Sequence, residues 1–89
     1  MKTFVKDKDA VLDYTFDWSA WLDDAEAIFS VVVTVPTGIT KQSQTVGAES
    51  VTVWLSGGTV GQTYPVACRL TTSTGRTDER TMGIVVRDR

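Results

Sequence analysis

Histidine is absent from this sequence. Its absence removes the side chain most used as a general base and metal ligand near neutral pH, together with every triad that contains one. Cysteine is nearly absent. Cys68 stands alone, so no intramolecular disulfide can close and no cysteine-based zinc site can be assembled. It lies between Val66 and Leu70 at period-two spacing, the setting of a buried and inert thiol. Long apolar runs are missing too. No stretch approaches the roughly 20 apolar residues of a membrane-spanning helix, and Met1 to Lys8 has no apolar signal-peptide region. The chain is therefore expected to be made and kept in the cytoplasm until it joins something else.

A basic cluster is also lacking. Nine Lys and Arg stand against eleven Asp and Glu, for a net charge of −2. With no continuous basic run to track phosphates, nucleic acid is not an expected partner. The charges are unevenly spread along the chain. Asp7, Asp9, Asp13, Asp17, Asp23, Asp24, Glu26 and Glu49 dominate the first half, whereas Arg69, Arg76, Arg80, Arg87 and Arg89 fall in the last quarter. Ordinary solvated charge accounts for such a pattern, and so does complementary contact between copies or with an oppositely charged partner.

What the sequence does contain is alternation. Some 42% of its 89 residues are apolar, enough for one small domain over residues 1–89 with a modest core. From Val11 to Trp18, Leu12, Tyr14, Phe16 and Trp18 share one parity, which predicts a half-buried strand. Ser19 to Ala27 reads as a short turn or single helical turn. Ile28 to Val35 is a β-branched run with apolar residues on both parities, expected to be a central strand covered on both sides for part of its length. After the turn at Pro36-Thr37-Gly38, Ile39 to Val46 is polar and weakly patterned, and is expected at a sheet edge. Ser50 to Leu55 alternates, with Trp54 opposite the row of Val51, Val53 and Leu55. Beyond the Gly-rich loop Ser56 to Gly61, Thr63 to Thr72 sends Tyr64, Val66, Cys68 and Leu70 inward. Ser73 to Arg76 is a hairpin connection. Asp78 to Arg87 is the last strand, with Met82, Ile84 and Val86 inward and Arg80, Val85 and Arg87 outward or terminal. This pattern predicts an all-β, immunoglobulin-like β-sandwich of about six to seven antiparallel strands, with a small barrel as the alternative closure.

Candidate chemistry is sparse. The carboxylate pairs Asp23-Asp24 and Asp78-Glu79 are adjacent in sequence, and neighbours on an extended chain point to opposite faces, so neither pair converges as acid and base. Asp7, Asp9, Asp13 and Asp17 offer oxygens to a hard cation, but their spacing does not fit an EF-hand loop. The Gly-rich loop lacks the P-loop lysine. No enzyme activity, cofactor or metal is expected. Trp18 and Trp21 suit a core. Trp54, off the apolar parity of its strand, is a candidate interface anchor.

The segments Lys8-Asp9-Ala10-Val11-Leu12-Asp13-Tyr14, Asp17-Trp18-Ser19-Ala20-Trp21-Leu22, Val53-Trp54-Leu55-Ser56-Gly57-Gly58 and Thr71 to Thr81 together resemble the small phage proteins described as fiber-tail adaptors. The resemblance runs from about Phe4 to Arg87. It implies an immunoglobulin-like virion protein of the phage tail, made in the host cytoplasm, that connects tail or baseplate components to fibres. It brings no catalytic residues and no cofactor. At Asp23-Asp24-Ala25-Glu26 the sequence departs from a glycine-containing turn. The implied partners are other tail, baseplate or fibre proteins, met by several copies in a symmetric assembly, with neither nucleic acid nor membrane. The residues chosen on physical grounds for contact are Trp54, then Arg76, Asp78, Glu79 and Arg80 on the last hairpin, and Gln42 and Gln44 on the polar edge strand, open to strand addition. Reversing the charges of Arg76 and Arg80 is expected to leave the domain folded. A head decoration or neck protein, and a carbohydrate-binding module using Trp54 and Trp21, are the alternatives.

Overall fold

A computed structural model describes residues 2–88. Its seven strands are β1 (Lys2–Asp7), β2 (Leu12–Asp17), β3 (Ile28–Thr34), β4 (Ile39–Val46), β5 (Ser50–Gly57), β6 (Thr63–Thr72) and β7 (Thr77–Arg87). They form two sheets, one ordered β1-β7-β6-β3 and the other β2-β5-β4. No helix occurs among the described residues.

The alternating segments form strands because each can turn one row of apolar side chains toward the facing sheet and leave the other row in water. The buried rows are Tyr14 and Phe16 of β2, Val51, Val53 and Leu55 of β5, Tyr64, Val66, Cys68 and Leu70 of β6, and Met82, Ile84 and Val86 of β7. Trp18, just past β2, closes one end of this core with no exposed surface. A fully buried side chain of this kind contributes about 1.5–3 kcal/mol relative to an exposed one, so these rows fix the register of both sheets.

Three expectations need correction. First, the alternation omits β1, which pairs with β7 in parallel, Lys2 opposite Met82 through Asp7 opposite Arg87. The sandwich is therefore not wholly antiparallel. β1 escapes a pattern search because its inner parity holds Lys2, Phe4 and Lys6, and Lys6 is fully buried. Second, β3 is an edge strand, not a central one: it pairs with β6 alone, and Val32 is 59% exposed. β-branched residues favour an extended backbone without specifying where in a sheet it lies. Third, Arg80 stands on the inner parity with Met82, because it pairs with buried Cys68 as Met82 pairs with Val66.

The remaining connections follow the residue chemistry. Ser19 to Ala27 consists of turns, and the Leu22 N–H bonds to the Trp18 carbonyl at 3.1 Å in a single helical-type closure. At Asp23 to Glu26 the Glu26 N–H bonds to the Asp23 carbonyl, and the Asp23 N–H bonds back to Glu26 Oε1 at 3.1 Å. No described residue other than glycine has a positive φ, so this turn functions without the glycine missing from its sequence. Gly58 is different. Its φ is +101°, and a Cβ there would sit 2.5 Å from Val86 Cγ2, so the loop lies against β7 only with glycine.

Candidate functional site

The last hairpin and the β2–β3 loop meet at one end of the sandwich, and two arginines join them. The β6–β7 turn is closed by the Thr72 N–H to the Arg76 carbonyl at 2.8 Å and the Gly75 N–H to the Thr72 carbonyl at 3.0 Å. Arg76 then reaches back over the loop. Its guanidinium bonds to both carboxylate oxygens of Glu26, donates to the Trp21 carbonyl at 3.0 Å and lies 4.3 Å over the Trp21 ring. Asp23 adds a longer ion pair at 3.8 Å. Four residues further along, Arg80 lies 4.1 Å over Trp18 and donates to the Asp17 carbonyl at 2.7 Å. Trp18 and Trp21 meet edge to face with centroids 5.3 Å apart. The result is a continuous stack of Arg76, Trp21, Trp18 and Arg80, in which each cation faces an electron-rich ring.

Glu26 is the charge at the centre of this end. Its side chain is only 1% exposed, whereas that of Arg76 is 41% exposed. The bidentate bond from Arg76 holds the Glu26 carboxyl far below its ordinary range, outweighing the burial that opposes ionisation, and Thr72 and Thr74 assist. Arg76 is raised correspondingly by Glu26. Asp17 is lowered by its bonds to Ser19, whose N–H reaches Oδ1 at 2.9 Å. Burial pushes the Cys68 thiol up.

Arg76 and Arg80, chosen from sequence as contact residues, thus hold the domain's own loop. Reversing their charges would place carboxylates over Trp21 and Trp18 and beside Glu26, so that exchange perturbs the fold as well as any contact. Asp78 lies half-buried between them in sequence, and Glu79 faces outward, paired with Arg69 at 3.4 Å. Trp54 is 39% exposed on the outer face of the three-stranded sheet, flanked by Asp13 and Ser43. Trp21 lies at the far end of β2 beneath Arg76, so the two tryptophans do not form one platform. Gln42 is the extra residue of a bulge in β4, between the Lys41–Leu55 and Ser43–Trp54 pairs, and its amide donates to Ser56 Oγ at 2.6 Å. Gln44 is half-buried and accepts from Lys41. A bulge re-aims the edge and interrupts a pairing row, so β4 is poorly suited to strand addition across Gln42.

The structure also reveals surface that sequence inspection did not single out. The outer face of the four-stranded sheet carries Thr3, Val5, Pro65, Ala67, Thr81, Gly83 and Val85, with the Arg69–Glu79 pair beside Val32 and Asp7 opposite Arg87 at the far end as its charges. Phe29, at the register shift opening β3, is 76% exposed. The signal available in the sequence was the second, outward parity of β6 and β7, whose middle, from Pro65 to Ala67 and from Thr81 to Val85, is small and uncharged.

Among the described residues no three Asp, Glu, His or Cys side chains gather as a metal would require. Asp7 and Asp9 share the turn after β1, whereas Asp13 and Asp17 stand at opposite ends of β2. No described helix is long and apolar enough to cross a membrane. A search of curated proteins finds no match to the chain. A family model described as Podophage GP4 fiber-tail adaptor protein gp77 matches residues 6–85, from the end of β1 nearly to the end of β7. With all seven strands touched by that match, the chain belongs to the podophage GP4 fiber-tail adaptor family.

Proposed function

We propose that this chain is a non-enzymatic adaptor of the phage tail, made in the host cytoplasm, that joins tail or baseplate components to fibres through protein contacts alone. Several copies act in a symmetric assembly, and neither nucleic acid nor membrane is a partner. The observation that carries this reading is the family match over residues 6–85. The absence of histidine and the lack of a basic cluster support the non-enzymatic, protein-directed part.

The fold is read as immunoglobulin-like. Its second, fifth and fourth strands form one sheet and its third, sixth and seventh the other, as in constant-type domains. The difference is the first strand, which joins the seventh instead of the second. A rigid sandwich with loops at both ends suits a connector, because each end and each outer face can meet a different neighbour without deforming the core.

Particles assembled without this protein test the proposal. They are expected to keep filled heads and tails but lose their fibres, seen by electron microscopy and by the missing fibre protein on gels. Fibres retained at normal number would overturn the adaptor role, and density for the chain on the head would place it as a decoration protein.

A further inference from the structure

The two sheets leave four edges, and three of them carry a device that discourages pairing with another chain. β1 holds Lys2, Lys6 and Asp7, β2 holds Asp13 and Asp17, and β4 holds Lys41 and the bulge at Gln42. β3 holds no charge at all. None occurs from Ala27 to Thr40, and the register shift of β3 lies at its first residues, so Ser30–Thr34 runs in unbroken register with β6. Among the described residues no strand or loop bonds to the other side of β3, which lies at the opposite edge of its sheet from β1. Phe29, Ser30, Val32 and Thr34 are exposed along it.

The order of residues on this strand says what fits beside it. Read in either direction from Val32, the chain meets a valine, then a hydroxyl residue, then an apolar residue: Val31, Ser30 and Phe29 one way, and Val33, Thr34 and Val35 the other. Such a segment matches itself when reversed. Antiparallel pairing of two copies about a two-fold axis at Val32 sets Ser30 opposite Thr34 of the second copy, Val31 opposite Val33, Val32 opposite Val32, and Phe29 level with Val35. Hydroxyl then meets hydroxyl and apolar meets apolar, the cross-strand pairs that stabilise a sheet. Arg69, opposite Val32 on β6, is the nearest charge in this row. It would lie three strand spacings from its counterpart, about 14 Å, beyond the screening length of about 8 Å at physiological salt, and it is already paired with Glu79.

We propose that β3 is the seam between two copies of this chain, paired antiparallel about Val32 so that their four-stranded sheets become one continuous sheet. The proposal takes its several copies from the adaptor reading, on which it rests, and names the surface that joins them. A single strand pair buries less than the roughly 1,200 Å² of a standard stable complex. The pairing is therefore weak between free chains and is consolidated where an assembly holds two copies side by side.

The test uses the full-length chain carrying Val32→Cys, mildly oxidised and run on a non-reducing gel. Residues directly opposite in an antiparallel pair have Cα atoms about 4.5–5.5 Å apart, inside the span of about 4.4–6.8 Å that a disulfide bridges, and the native Cys68 is buried. Val32→Cys is expected to give a covalent dimer, and Thr45→Cys, exposed on the other sheet, to stay monomeric. In sedimentation equilibrium the native chain is expected to dimerise with a Kd below about 1 mM. Val32→Thr should match it within about threefold, whereas Val32→Asp, which sets two carboxylates opposite each other, should weaken it about tenfold or more. A native chain that stays monomeric at that concentration, with position 32 no more readily cross-linked than position 45, overturns the proposal. So does p-benzoylphenylalanine at position 32 linking to a different protein in assembled tails. Both results leave the adaptor role standing. Absence of the native chain from tails overturns the adaptor reading and is scored separately from the dimer.

Discussion

At one end of the sandwich Lys6 is buried and donates to the carbonyls of Asp7 and Gly57, each at 2.9 Å. Beside it Gly58 packs on Val86, and the Thr59 N–H donates to the Tyr64 hydroxyl at 2.9 Å. At the other end a buried carboxylate, Glu26, is held by Arg76, and two arginines lie on two tryptophans. Both ends tie a loop to β7 or its turn, but by different chemistry. The Lys6 end bonds a cation to backbone carbonyls that do not titrate, so its geometry depends on backbone shape. The Glu26 end balances opposite charges, so it depends on protonation. The Glu26 end can therefore be loosened by acid, whereas the Lys6 end is probed by altering its backbone or its lysine.

The strongest way to break this contrast is Trp18→Ala, which removes the ring shared by Trp21, Arg80 and the core. The expected loss is about 3–5 kcal/mol, a large part of the margin of a small domain, seen as a lowered urea midpoint or as outright unfolding. Lys6→Ala tests the opposite end. It removes the charged donor to the Gly57 carbonyl, at about 1.5–3 kcal/mol, and hydrogen exchange should speed in Gly57 to Gly61 more than in the hairpin.

A pH series sharpens the comparison next. Glu26 has its carboxyl lowered in the folded protein from an ordinary value of 4.5, so its contribution is complete above that pH and is lost as pH falls below it. Glu26→Gln should lower stability at neutral pH and flatten the acid limb of a denaturation series, whereas Lys6→Ala should leave the acid limb's shape unchanged. The smallest expected effect is Trp54→Ala, within about 0.5 kcal/mol on thermal unfolding, because that ring lies on an outer face belonging to neither end.

Strands with a clean apolar row were legible in the sequence: β2, β5, β6 and β7 follow from Tyr14 and Phe16, Val51 to Leu55, Tyr64 to Leu70 and Met82 to Val86. The polar edge strand β4 was legible for the same reason in reverse. β1 was hidden because a buried lysine reads as solvent-facing, and only the carbonyls of Asp7 and Gly57, one of them distant in sequence, make its burial tolerable. The position of β3 was misread because Val31, Val32 and Val33 record an extended backbone and not its neighbours. Arg76 and Arg80 were rightly located on the hairpin, but their engagement with Trp21, Trp18 and Glu26 spans the β2–β3 loop and the start of β7. No local pattern encodes a contact between segments so far apart in the chain.

The parallel pairing of β1 with β7 also sets an order of events during synthesis. Lys2 must wait for Met82 to be made, an interval on the order of ten seconds at typical translation rates. Throughout that time β1 is an exposed extended segment among nascent chains, the circumstance in which apolar strands pair wrongly. Lys2 and Lys6 on its future inner face keep it unattractive to other strands until β7 emerges, and Lys6 then surrenders its hydration to two carbonyls. The lysine that obscures the first strand is thus its guard against premature partners.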